Sequence, residues 1–388
     1  MTSAVIVDVV RTPSGKGKSG GGLSEVHPAT LLSGVLEALV DRTGIDPALV
    51  DDVIGGCVTQ SGEQAFNISR TAVLAAGFPD AVPATTVDRQ CGSSQQAAHF
   101  AAQGVIAGAY DIAIACGVES MSRVPMFSNA QGKDANRGPI AHRYPDGLVQ
   151  QGIAAEVISA RWKFDRAALD EFAARSHRLA AATAASGGFD NEIVPAGTLT
   201  ADETIRPTTS VEGLAGLKPA FADAEFKARF PDIDWSITPG NSSPLSDGAS
   251  AALIMSEEKA AQLGLKARAR FHSFSVVGDD PLLMLTAVIP ATRKVLARAG
   301  LTIDDIDAYE VNEAFAPVPL VWAHELGADL TKLNPRGGAI ALGHPLGASG
   351  GRILATMLNH LEQTGGRYGL MTMCEAGGLA NATIIERL

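Results

Sequence analysis

The 388-residue chain predicts an α/β fold of layered sheets and helices, made of two similar halves with a loop-rich insertion in the first. Three observations carry this. Apolar strand-like runs alternate with helical patterns through residues 4–116. The same order of strand, turn, helix and strand returns between 290 and 374, which reads as duplication. Between them, from about Glu119 to Ser246, the pattern gives way to scattered Pro and Gly, polar loops and isolated helices. The boundaries that follow are 1–118 for the N-terminal half (completed by 247–265), 119–246 for an inserted loop domain, and 266–388 for the C-terminal half.

Ala4 to Val10 reads as a buried strand ended by Arg11-Thr12-Pro13. The glycine-rich 15–20 run literally matches GxGxxG, but Pro13 and Pro28 break the continuity of strand, glycines and helix that a dinucleotide site needs. Ala29 to Thr43 carries Leu31, Leu32, Val35, Leu36, Leu39 and Val40 at helical spacing. A strand from Asp52 to Val58 carries Cys57, and a helix follows from Ser69 to Ala76. The β-prone run Ala84 to Val87 leads to Cys91-Gly92-Ser93-Ser94 and an alanine-rich helical pattern through Ala107. Asp111 to Cys116 is another buried strand, and Gly152–Arg161 and Arg166–Ser186 are helices of the insertion. The core pattern resumes at Ala249–Met255. In the second half a helix spans Pro290–Ala299 and a strand Ile306–Val311. The turn Gly343–Gly350 then precedes a helix, and a last strand, Tyr368–Met373, ends at Cys374.

Composition narrows the function. Hydrophobic residues make up 46% and aromatics only 5%, as in a well-packed globular chain. A net charge of −11 argues against a general nucleic-acid surface. No apolar run is long enough for a transmembrane helix, and neither a signal peptide nor a peroxisomal tripeptide is visible. The four cysteines form no CxxC and have no histidine at zinc spacing, so no metal is expected. Scattered free cysteines suit a reducing cytoplasm.

The chemistry lies at turns. Serines at the start of the helix after Cys91 are candidates to cap it, and the positive pole of that helix favours thiolate over thiol at Cys91. A buried core cysteine is the competing reading. His344 stands in a Gly/Pro turn, where an imidazole can act as general base or be satisfied by backbone. Cys374 and Asn312 each end a strand, where a small packing residue and a strand-end cap are the alternatives.

Taken in order, Arg11-Thr12-Pro13, Cys91-Gly92-Ser93, Gly117–Ser122, Asp170–Ala173 with Ser176-His177, Leu217–Phe221, Gly240–Ser243, Ser246–Ala249, Asn312–Ala316, Gly343–Gly350 and the Cys374 loop resemble the thiolase family over essentially the whole chain. The resemblance implies two α/β halves, each with a five-stranded mixed sheet, in an α-β-α-β-α sandwich with a loop domain over the site. It implies Cys91 as nucleophile, His344 as its base and an oxyanion-hole donor, Asn312 holding a water there, and Cys374 as acid and base. Backbone N–H groups of Cys91 and Ala376 are the expected second oxyanion hole. Coenzyme A and acyl-CoA are the implied substrates, with no permanently bound cofactor. Ser243 is the expected pantetheine contact and Lys218 lies toward the nucleotide end, with Arg123, Arg161, Lys163 and Arg166 as further phosphate partners. A homodimer or homotetramer is implied.

This chain departs from the family pattern at Ala376 and Ala380, at Met284–Pro290, at Pro244 and at Arg336, changes expected to reshape the acyl pocket toward substrates larger than acetoacetyl. A ketoacyl-ACP condensing enzyme is the rival on the same fold; it typically pairs the cysteine with two histidines, where this chain has Cys374. A non-catalytic CoA-binding relative is the other rival.

Overall fold

The computed structural model describes residues 2–134 and 138–388. The first half contains β1 (Ala4–Arg11), α1 (Pro28–Thr43), β2 (Asp52–Gly56), α2 (Ile68–Ala75), β3 (Ala84–Val87), α3 (Ser93–Ile106) and β4 (Ile112–Ser120). Two long helices, α4 (Gln151–Trp162) and α5 (Arg166–Ala185), and several short turns intervene before β5 (Ser246–Ser256). The second half contains β6 (Ala269–Gly278), α6 (Val288–Ala299), β7 (Ala308–Val311), α7 (Pro317–Leu326), α8 (Ser349–Thr364), β8 (Tyr368–Glu375) and β9 (Leu379–Arg387).

Local chemistry sets these elements. The His27 ring accepts from the Ala29 N–H at the head of α1, Pro28 occupies its first turn, and Gly44 closes it at φ 66°. Leu31, Leu32, Val35, Leu36 and Leu39 fall on the buried face. Each fully buried leucine contributes roughly 1.5–3 kcal/mol.

The duplication is visible in the strand pairing. In the first sheet, of order β3-β2-β4-β5-β1, β2 is parallel to β3 and β4, while β5 is antiparallel to β4 and β1. In the second, β7 is parallel to β8, and β9 is antiparallel to β8 and β6, the same pattern. The fifth strand expected there is only a parallel bridge between Leu333 and Tyr309. Two residue pairs between β1 and β6 join the sheets edge to edge. Helices α3 and α8 pack on each other between the sheets, while α1 and α6 cover the outer faces. The result is the layered α-β-α-β-α order.

Two local expectations change. Cys57 lies one residue beyond β2, fully buried. The serines after Cys91 do not cap α3, whose N-cap is Gly92. Ser93 Oγ instead accepts from the Arg89 N–H and donates to the Gln90 carbonyl, and Ser94 Oγ accepts from the Gly351 N–H of the other half. The glycine-rich 15–20 loop holds no free anion cradle, because Lys16 and Gly22 direct their N–H groups at the Glu203 carboxylate.

A buried carboxyl fastens the halves together. Glu119 accepts from the Val58 and Thr59 N–H groups, from the Gln64 amide, and from the Gly347 N–H at 2.9 Å. The turn that carries His344 is thereby anchored to the first half.

Candidate active site

Cys91 sits between the end of β3 and the start of α3, only 4% exposed. Gln90 before it has φ 49°, a left-handed conformation uncommon outside glycine. From the second half, Gly350 and Gly351 of the His344 turn press on the first residues of α3. On another side, the Glu375 carboxyl lies against Gly92, so close that a Cβ at residue 92 would collide with it. Cys374, fully buried, lies near enough to Cys91 for their charges to interact.

The hydrogen bonds of His344 fix its tautomer. Ser349 spends its one hydroxyl hydrogen on the Pro345 carbonyl at 2.8 Å, so at 2.6 Å from Nδ1 it accepts, and Nδ1 carries the proton. Nε2 is then the basic nitrogen, 3.3 Å from the Asn312 amide nitrogen. Asn312 Oδ1 is buried without a protein partner, an acceptor suited to anchoring a water. The His344 N–H donates to Ser246 Oγ, which ties the turn to β5.

Burial dominates the electrostatics. It pushes the Cys91 thiol up to about 12, assisted by the Glu375 and Glu119 carboxyls and opposed by a hydrogen bond from Gln151. Against the expected pull of the helix pole stands the cost of holding a charge away from water, which favours the thiol. Burial, then the Arg352 guanidinium, lower His344 to about 3, leaving a neutral imidazole. Burial, with Cys91 and Glu375 nearby, also raises the Cys374 thiol well above its usual range. The resting site therefore holds two neutral thiols and a neutral base.

A pH dependence follows. Because the thiol is raised, its reactive fraction grows tenfold per unit throughout the neutral range. Iodoacetamide labelling of the Cys91 peptide, followed by mass spectrometry, should rise with unit slope from pH 7 to 10. A plateau beginning near pH 7 would mean a preformed thiolate instead.

Other expected residues divide. Ser243 is half-buried, and its N–H donates to the Ala314 carbonyl, next to the Asn312 segment. Lys218 is exposed. Arg123 is held by Glu63 and the Ser24 carbonyl, and Arg166 by Asp170 and the Leu214 and Leu217 carbonyls, so neither presents an uncommitted cation. Arg161 stacks over Trp162, and Lys163 is exposed. Arg336 is buried, donating to Gly188, Asn359 and Gln363, which makes it a packing residue rather than a wall of the acyl pocket. Ala376 has no positive φ; Gly377 and Gly378 take the left-handed positions of the turn, so alanine is accommodated without strain. Met284–Ala287 forms a buried turn leading into α6, within the apolar cluster that contains Cys374.

Sequence reasoning missed three residues: Ser349, Gln151 and Glu375. Ser349 lies inside the 343–350 turn that was read for its histidine. Glu375 follows Cys374 directly, and its carboxyl is buried. A cavity of about 240 Å³ lined by Phe189, Ile193 and Asp202 involves none of the thiol-site residues. Among the described residues no helix is long and apolar enough to cross a membrane.

Comparison with known proteins shows the family. The chain matches the family models described as thiolase, N-terminal domain over residues 4–258 and thiolase, C-terminal domain over residues 265–387. It is 47% identical to the steroid 3-ketoacyl-CoA thiolase FadA6 of Mycobacterium tuberculosis, covering 100% of this chain and 95% of that relative. It is 44% identical to the 3-ketoacyl-CoA thiolase of Serratia proteamaculans, covering both chains fully. The crystal structure of the Bacillus anthracis acetyl-CoA acetyltransferase superposes with a TM-score of 0.88 at 38% identity, covering 100% of this chain and 99% of that one.

Proposed function

The chain belongs to the thiolase family, CoA-dependent acyltransferases that cleave 3-ketoacyl-CoA, and on that premise we propose how its residues divide the work. The observation that carries the proposal is the Asn312–His344 Nε2 contact, with the imidazole tautomer fixed by Ser349, in a turn packed against the Cys91 turn.

In thiolysis, Cys91 Sγ attacks the 3-keto carbon as its proton passes to His344 Nε2. Because the thiol and the imidazole are both neutral at rest, transfer accompanies attack rather than preceding it. The alkoxide is held by the Cys91 and Ala376 N–H groups. Its collapse breaks the C2–C3 bond and leaves an acyl-Cys91 thioester and the enolate of acetyl-CoA. The enolate oxygen is stabilised by protonated His344 and the Asn312-bound water. Cys374 gives its proton to the enolate carbon, releasing acetyl-CoA, and the resulting thiolate takes the proton of the incoming CoA thiol. That sulfur attacks the thioester, and His344 returns its proton to the departing Cys91 sulfur. Atoms and charge balance over the cycle.

The segment 119–246 is the proposed CoA cover, with Ser243 on pantetheine and Lys218 toward the nucleotide. The relative named for steroid substrates and the apolar Leu283, Leu285 and Val288 in the cluster that contains Cys374 support an apolar acyl group larger than acetyl. Across a panel of 3-ketoacyl-CoA substrates, kcat/KM for thiolysis should rise with chain or ring size. A sharp preference for acetoacetyl-CoA would remove the large-acyl reading, and binding of CoA with no turnover of any member would return the chain to a non-catalytic role.

The outer strand β3 has an unpaired edge, and Phe66 nearby is 98% exposed. Both support pairing with a second copy into a homodimer or homotetramer. Light scattering should give a multiple of 40.1 kDa; a monomeric mass would set the assembly aside. The four free buried cysteines fit a reducing, cytoplasmic setting.

A further inference from the structure

The nucleophilic sulfur has one side-chain hydrogen-bond donor on it. Gln151 Nε2 approaches Cys91 Sγ at 3.9 Å, within hydrogen-bonding range for sulfur. Gln151 is the first residue of α4, a helix outside both duplicated halves, and is itself half-buried. Its position is held from behind: Ile153, Ala154, Ala155 and Ile158 of α4 pack into the apolar cluster that contains Cys374, Leu285 and Val288. The helix also packs on α7 and on the 284–287 turn. The amide is therefore carried on a rigid element rather than a free loop.

Two carboxyls near Cys91 act in the opposite sense. The Glu375 carboxyl lies against Gly92, and Glu119 sits on the far side of the turn, hydrogen-bonded to Gly347. Both oppose negative charge on sulfur. A neutral amide N–H pointed at the sulfur does the reverse, and such a bond strengthens as its acceptor becomes charged.

We propose that Gln151 is a further catalytic residue, donating its side-chain N–H to the Cys91 sulfur and stabilising the negative charge that develops there during attack and again when the acyl group departs. No proton is transferred by the amide; it supplies a fixed dipole at the reacting atom. The inference rests on Cys91 as the nucleophile proposed above.

Two variants of the full-length protein test it. Gln151→Leu keeps the size and removes the donor, and Gln151→Glu is isosteric but replaces the donor by an acceptor. At pH 8, iodoacetamide labelling of the Cys91 peptide should slow about tenfold in the leucine variant and further in the glutamate variant. In thiolysis, kcat/KM should fall about tenfold through kcat, with KM for CoA within about twofold of the wild type. A purely structural role for Gln151 would loosen α4 and speed entry of the reagent, so unchanged or faster labelling in the leucine variant would overturn the proposal. A loss confined to KM would do the same. Should the leucine variant fail to fold, the glutamate variant alone decides by the same readings. Acyl-CoA exposure of the wild type separates the two layers: acyl label on Cys91 with unaffected Gln151 variants defeats this inference only, whereas no label on Cys91 defeats the nucleophile assignment and this inference with it.

Discussion

Cys91→Ala is expected to lower thiolysis by on the order of 10⁴-fold or more while the fold persists. The reason is that no other group can occupy its role. Cys57 and Cys116 lie in an apolar cluster of the first half separate from the one that contains Cys91, and Cys374 is committed to the proton transfers proposed above. The substitution removes one buried sulfur, costing about 1 kcal/mol of stability, small against a normal folding free energy. Thiolysis followed at the enolate absorbance gives the rate. Intact and peptide mass spectrometry after acyl-CoA exposure gives the cause: the wild-type Cys91 peptide gains the acyl mass and the variant gains none. Retention of a tenth of the activity, or acyl label on another cysteine, would sink the assignment.

His344→Ala is the second large loss, expected at about 10³-fold. In the mechanism proposed above the imidazole serves twice, as the base for the Cys91 thiol and as a donor to the enolate oxygen. A positioned base is worth about 10²–10⁴ and an oxyanion donor about 10²–10³, but the same proton serves both roles, so the losses do not multiply. The loss should fall on kcat, and single-turnover acylation of Cys91 should slow in parallel. If KM alone rises and acylation keeps its wild-type rate, His344 is a binding residue and the base lies elsewhere. Because the wild-type imidazole is lowered to about 3, its activity should also hold as pH drops through 6.5, where an ordinary histidine would protonate and lose its base function.

Much of this architecture is legible in the residues. The first half shows because its strands are continuous apolar runs between clear turn signals, and α1 because its leucines recur at helical spacing. β6, α7 and β9 give weaker signals. β6 buries only Ala269, Phe271 and Ser275 and breaks its alternation after His272, and β9 is diluted by Ala380, Asn381 and Ala382. The fifth strand of the second sheet leaves no pattern because one residue, Leu333, makes the pairing. At the site, residue type alone left Cys91 and Cys374 with a packing alternative, and the ordered family motifs were what singled them out together with His344. The protonation states were not legible. A helix pole can be inferred from order along the chain, but burial depends on what the distant half places on top. Gln151 escaped for the same reason: a glutamine opening a helix means nothing until the helix docks against a sulfur sixty residues away.

The two interlocked halves have a consequence for how the catalyst responds to dilution. The proposed nucleophile and base come from opposite repeats of one unit, and Glu119 bolts the second repeat's turn onto the first. Were the repeats separate molecules, working sites would vanish as they drifted apart. A covalent tether instead keeps them at an effective concentration on the order of millimolar, however few molecules are in solution. Dissociation of any larger assembly would leave both proposed groups on the same chain.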